Sequence, residues 1–210
     1  MTDSPLLYNA AFGPLNLAAV RSAPCQMSLG ERLFLYSLVY ASRPRHYCEI
    51  GTAQGGSALI AQSALFDVGH HDARMSLIDI AFDLDKGARQ MLARRAVFHE
   101  GPSLEMLPKA AEAAPIDFLL IDGDHSYDGA YRDIEMAARF MAPGGHVLIH
   151  DAYNPPIAAA IQDALPTGNW IDVGLVVRHG NDLDESPVAD PRWQGQRNFW
   201  GGMYQLRHRG

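Results

Sequence analysis

Residues 118–153, FLLIDGDHSYDGAYRDIEMAARFMAPGGHVLIHDAY, constrain this chain more than any other stretch. Two apolar runs each stop in a cluster of acids and histidines. The first, 118–121, ends at Asp122, Asp124 and His125. The second, 147–149, ends at His150 and Asp151. A helix-length segment lies between them and closes on Pro143-Gly144-Gly145. Short apolar runs read as buried strands, and strand–helix–strand reads as a parallel βαβ unit. Parallel strands point the same way, so both polar clusters come to one sheet edge. That carboxyl edge is where open α/β sheets bind ligands. Carboxylates and imidazoles converging there suit a metal, a general base, or both.

The rest of the chain alternates in the same manner. A capping box at Ser28-Leu29-Gly30-Glu31 opens a helix to about residue 41. Further strands are expected at 46–50, 75–80, 96–100, 171–177 and 200–206, with helices between them. Such alternation predicts a doubly wound α/β sandwich. At 210 residues one domain is expected, with length enough for a sizeable core. Residues 1–27 read as an arm or lid. Residues 178–198, acidic and rich in Pro and Gly, read as a long loop before the last strand, and such loops are usually functional or mobile.

Composition removes several function classes. The net charge of −7 argues against nucleic-acid backbone binding. No apolar run approaches the ~20 residues of a membrane span. The N-terminus lacks a basic region followed by an apolar core, so no signal peptide is expected. Cys25 and Cys48 have neither metal nor redox spacing and read as reduced thiols of a cytoplasmic protein.

The turn Glu49-Ile50-Gly51-Thr52-Ala53-Gln54-Gly55-Gly56-Ser57 follows the first expected strand. Its glycines would let a ligand approach the backbone at a helix N-terminus, although a plain tight turn uses glycine too. Ala53 stands where a dinucleotide fingerprint needs its second glycine, which lowers the nicotinamide reading. Asp79, at the tip of the next strand, can accept both hydroxyls of a ribose. Ser103 either meets an adenine edge or caps a helix. All of these fall at strand carboxyl ends.

On these residues the chain resembles class I S-adenosylmethionine-dependent methyltransferases. It is most similar to the metal-dependent small-molecule O-methyltransferases, of the catechol, macrolide-sugar and aminocoumarin-sugar types. The resemblance covers about residues 47–153, and Ile121-Asp122-Gly123-Asp124-His125-Ser126-Tyr127 looks particularly like the sugar branch. It implies a Rossmann-like methyltransferase sandwich with a mostly parallel seven-stranded sheet and an antiparallel last strand. It implies cofactor contacts at Glu49, Gly51, Thr52, Ala53, Gly55, Ser57, Asp79, Ser103 and Asp122. It also implies a divalent metal, Mg2+ or another ion such as Mn2+, on Asp122, His150 and Asp151. His150 stands where the family usually has an acid, and imidazole favours softer ions. It is therefore read as either a ligand or a donor behind the ligands. His125 is the expected base, with Asp124 competing.

The expected reaction is methyl transfer to a small-molecule hydroxyl, with a saccharide or glycosylated metabolite as the leading acceptor. Trp193, Trp200 and Tyr153 are candidate stacking surfaces for it, and burial against the sheet or at a subunit interface is an equal alternative for the first two. Apolar residues of the arm and loop, Leu6, Leu7, Phe12, Trp193 and Phe199, suggest a homo-oligomer, a dimer in the first instance. Rival readings are a nicotinamide-dependent oxidoreductase, a non-catalytic nucleoside-binding protein and, more weakly, a metallohydrolase.

Overall fold

The computed structural model describes residues 17–210. Of the expected arm, residues 1–16, with Leu6, Leu7 and Phe12, lie outside the described residues. The remainder forms helix α1 (Ala18–Ser22) and a turn into α2 (Leu29–Ser42). The capping box is formed as expected: Glu31 N donates to Ser28 Oγ at 3.2 Å and Ser28 N to Glu31 Oε2 at 2.6 Å. The chain then alternates through β1 (His46–Ile50), α3 (Gly56–Asp67), β2 (Arg74–Asp79), α4 (Lys86–Leu92), β3 (Ala96–Glu100) and α5 (Ser103–Ala111). It continues through β4 (Ile116–Ile121), α6 (Tyr127–Ala137), β5 (Met141–His150), α7 (Pro155–Ala164), β6 (Trp170–Pro187) and β7 (Arg197–His208).

The seven strands form one sheet in the order β3-β2-β1-β4-β5-β7-β6. Strands β1 to β5 pair in parallel, and β7 runs antiparallel to both β5 and β6. This is the Rossmann-like methyltransferase fold with its antiparallel last strand. Central strands read as unbroken apolar runs because both faces are covered. Phe118 and Leu120 of β4 pack with α1–α4 on one side, and Leu119 and Ile121 with α5–α7 on the other.

Register sets the site. Ile50 pairs with both Ile78 and Ile121, and Ile121 with Ile149. The next residues of three adjacent strands, Gly51, Asp122 and His150, therefore emerge side by side, with Asp79 one strand further out. Strand β7 arrives from the opposite direction, with Met203 opposite His150. Its preceding residues, 199–202, are thereby carried to the same carboxyl edge.

Two expectations need correction. Residues 178–198 are not one long loop: β6 continues to Pro187 and pairs there with Arg197. The register slips repeatedly along this pair, which destroys the two-residue period, and an edge strand with one neighbour needs little apolar sequence. Strand β5 begins at Met141, so Pro143-Gly144-Gly145 lies inside it. Its pairing with β4 is irregular there, and Gly144 has φ of +76°.

Candidate active site

Gly51 is required by contact as well as by backbone conformation. Its φ is +87°, and a Cβ there would stand 2.0 Å from the Asp122 carbonyl oxygen. The tips of β1 and β4 also share a hydrogen bond from Asp122 N to Ile50 O at 2.9 Å. The glycine thus brings the turn and the acid cluster into one wall. That wall faces a cavity of about 780 Å³, whose lining includes Gly51, Ala53, Asp79, Ser103, Asp122 and His125.

The turn residues divide into two sets. Gly51 and Ala53 face the cavity; Ala53 is left-handed at φ 43° and donates its amide to Asp79 Oδ2 at 2.7 Å. Asp79 Oδ1 accepts from Ala81 N at 3.1 Å, so backbone bonds orient its carboxylate at the cavity edge. Glu49, Thr52, Gly55 and Ser57 lie behind the lining. Glu49 is fully buried and accepts from Tyr47 Oη at 2.6 Å and Ser57 Oγ at 2.9 Å. Burial pushes its carboxyl up to about 7, against those two bonds. Thr52 Oγ1 is buried without an aligned partner. Gly55 packs under Leu84 and Leu92.

Ser103 is not the helix cap. Pro102 holds that position, and Ser103 Oγ donates to Asp133 Oδ1 at 2.5 Å. Asp133 is a cavity residue that the sequence reading passed over. Burial raises its carboxyl to about 6. Its only sequence signal is an acid on the inward face of α6.

Asp122, His125 and Asp151 each offer one donor atom, and these atoms lie within 4.8 Å of one another. His125 Nε2 is 3.2 Å from Asp151 Oδ2 and 3.7 Å from Asp122 Oδ1. Asp151 takes the left-handed conformation, φ 53°, which ends β5. A strained non-glycine backbone of this kind favours a functional reading. Gly201 N donates to Asp151 Oδ1 at 2.5 Å. Asp124 is exposed and accepts from Ser126 N at 2.9 Å.

His150 is nearly buried behind the two carboxylates. Its Nδ1 stands 3.0 Å from Asp122 Oδ1 and 3.4 Å from Asp151 Oδ2, and its Nε2 lies 3.5 Å from Glu31 Oε1. Three carboxylates thus surround two imidazoles. Contacts with Asp122 first, then Asp151, raise His125 to about 9. Burial works against a charged His150, but Asp122 and its neighbours outweigh it and hold the ring well above its ordinary value. Burial likewise opposes ionisation of Asp151, and bonds from the two histidines reverse that, leaving it below the usual carboxylate range.

The three aromatic candidates have different neighbours. Trp200 meets the His125 ring edge-on, with centroids 5.2 Å apart. Tyr153 packs on Phe199 at 5.2 Å and donates its hydroxyl to Arg178 O at 2.6 Å. Trp193 packs on Tyr127, under Arg192. Of the three expected stacking residues, Trp200 touches the acid–histidine cluster.

The donor set fits a divalent cation, since two carboxylates, Asp122 and Asp151, and the imidazole of His125 lie within 4.8 Å of one another. The cavity beside the glycine turn, with Asp79, Ser103 and Asp133 on its wall, fits a polar ligand.

Fold and site together define a methyltransferase: a family model described as a methyltransferase domain matches residues 48–152, half of the chain, and the chain belongs to that family. Solved structures agree in fold. A cofactor-bound protein from MTB, Rv0187, is 21% identical over 99% of this chain and 94% of its own, with a TM-score of 0.64. The O-methyltransferase TomG from Streptomyces achromogenes, involved in tomaymycin synthesis and in complex with SAM, is 17% identical over 98% and 93%, with a TM-score of 0.66. An O-methyltransferase from Bacillus cereus in complex with SAH is 17% identical over 98% and 94%, with a TM-score of 0.59.

Proposed function

We propose that this chain is an S-adenosylmethionine-dependent, divalent-metal-dependent O-methyltransferase acting on a small-molecule hydroxyl, with a saccharide or glycosylated metabolite as its acceptor. One observation carries the reading. A single cavity joins the Gly51–Ala53 turn, Asp79 and Ser103 to Asp122, Asp124 and His125. Asp79 would hold the ribose and Ser103, steadied by Asp133, the adenine edge. Glu49 lies behind the turn as a counter-charge for an ammonium. Structural neighbours that are O-methyltransferases holding SAM or SAH support the donor.

Asp122 and Asp151 would hold the cation. His150 is a further donor, either to the ion or to the two carboxylates it touches. Nitrogen among the oxygens suits Mn2+ as well as Mg2+. When bound, a divalent ion lowers the pKa of a hydroxyl it holds. His125 Nε2 is the proton acceptor in this reading. Facing Asp122 and Asp151 alone it is held protonated, and positive charge beside those carboxylates weakens that hold. An Nε2 engaged as a ligand could not take the proton, and Asp124 would then be the base. Trp200 offers an apolar ring face beside His125, which suits the C–H face of a sugar.

The free thiols Cys25 and Cys48 support a cytoplasmic setting. Among the described residues no helix is long and apolar enough to cross a membrane. A homo-oligomer, with a dimer as the first expectation, belongs to the same proposal, and light scattering across a concentration series tests it.

Calorimetric titration separates the readings. S-adenosylmethionine should bind and NAD should not. The reverse order of affinity would favour the oxidoreductase. Binding without transfer to any acceptor would favour a nucleoside-binding protein.

A further inference from the structure

Glu31 belongs to α2, far from the acid–histidine motifs in sequence, and its capping role needs only one carboxylate oxygen. Oε2 fills that role on Ser28 N at 2.6 Å. The side chain is nonetheless only 1% exposed. A buried carboxylate is costly unless it is paired. The pairing is supplied from the site: Oε1 accepts from Gly202 N at 2.6 Å and lies 3.5 Å from His150 Nε2. That nitrogen is buried and makes no aligned hydrogen bond, and Glu31 is the one carboxylate within 4.0 Å of it among the described residues. On its other side His150 Nδ1 reaches Asp122 Oδ1 at 3.0 Å. The neighbouring amide, Gly201 N, holds Asp151.

We propose that Glu31 is a positioning residue: it fixes the ring of His150, and through that ring the carboxylates of Asp122 and Asp151. The two consecutive amides Gly201 and Gly202 act in parallel, one on Asp151 and one on Glu31, so that β7 and α2 grip the cluster from behind. Carboxylates that orient an imidazole in this way typically change metal affinity or activity 10- to 100-fold when removed. The proposal rests on the functional reading of the cluster. It also makes a claim about the ligand-free chain, namely the setting of the His150 ring.

The test compares Glu31→Gln with Ser28→Ala in the full chain. Ser28→Ala breaks the capping box without touching His150. Glu31→Gln keeps shape and one cap acceptor but removes the charge facing Nε2. In the free protein, nitrogen-15 NMR should show the His150 ring signals displaced in Glu31→Gln and unmoved in Ser28→Ala. Mn2+ binding, read by electron paramagnetic resonance, should weaken about tenfold or more only in Glu31→Gln. Its kcat should fall with the KM for S-adenosylmethionine little changed, and Glu31→Asp should restore less than the wild-type rate. Unmoved His150 signals in a folded Glu31→Gln overturn the proposal, as does a matching loss in Ser28→Ala. A wild type that binds no Mn2+ and transfers no methyl overturns the metal reading, and the NMR comparison still decides the role of Glu31.

Discussion

Gly51 and Asp122 meet backbone to backbone: the Cβ that Gly51 lacks would stand 2.0 Å from the Asp122 carbonyl oxygen. This contact joins the glycine turn to the acid cluster. Gly51→Ala must move β4 or the turn as well as adopt an unfavourable φ. A loss of about 3 kcal/mol or more is expected, on the scale of strain plus overpacking. Gly168 supplies the control, because it has φ of +86° with nothing near its missing Cβ. Gly168→Ala should cost only about 1–2 kcal/mol. Urea denaturation compares the two, and equal losses would remove the contact from the account.

Asp79 is oriented by two backbone amides and lines the cavity. Asp79→Asn keeps much of that orientation and should weaken S-adenosylmethionine binding by about 1–3 kcal/mol, the scale of hydrogen bonds to a charged group. The calorimetric titration should give roughly 5- to 150-fold. Unchanged affinity in the folded variant would move the ribose elsewhere.

Much of this was legible because the signals were local. The apolar runs of β1 and β3 gave their bounds, and the polar residues after β4 and β5 marked the edge. Ser28 and Glu31 announced a helix start, since a capping box is written in neighbouring residues. What remained hidden depended on contacts distant in sequence. The burial of Glu31 follows from Gly202 and His150, and nothing in the α2 sequence encodes them. Ser103 stays open between an adenine contact and a cap in the sequence because its partner, Asp133, lies two elements away. The outer half of β6 looked like a loop because repeated register slips erase alternation in an edge strand.

In the proposed reading, Glu49 couples cofactor binding to proton release. Its folded pKa of about 7 lies above the unfolded value of ~4.3, so the folded state holds an extra proton between them. This group therefore costs stability as pH rises from ~4.3 through about 7, opposite to an ordinary paired carboxylate. Glu49→Gln should melt higher than wild type at pH 8 and equally at pH 4. An ammonium beside Glu49 should also expel its proton near pH 6. Calorimetry in two buffers of different ionisation heat should then show proton release, whereas heats independent of buffer would contradict it.

His125 has the same slope with pH for the opposite reason, since its charged form is the favoured one. Its folded pKa, raised to about 9 by Asp122 and Asp151, exceeds the unfolded ~6.5. Its contribution is fully present below ~6.5 and is lost as pH rises through about 9. In excess chelator, the melting-temperature gap between wild type and His125→Gln should close across that window. A gap that stays constant from pH 6 to 10 would mean the imidazole is not paired with those acids.

The central claim is that one edge of the sheet joins a methyl donor to a metal-held hydroxyl. Its most direct test is transfer of isotope-labelled methyl from S-adenosylmethionine to a panel of saccharides and polyphenols, by chelated protein with and without restored Mg2+ or Mn2+. The account predicts a methylated acceptor by mass spectrometry only after metal is restored, a rate lowered about a hundredfold or more by His125→Ala, and none from Asp122→Asn. Full transfer in excess chelator after confirmed metal removal, or near-normal transfer by Asp122→Asn, would contradict it.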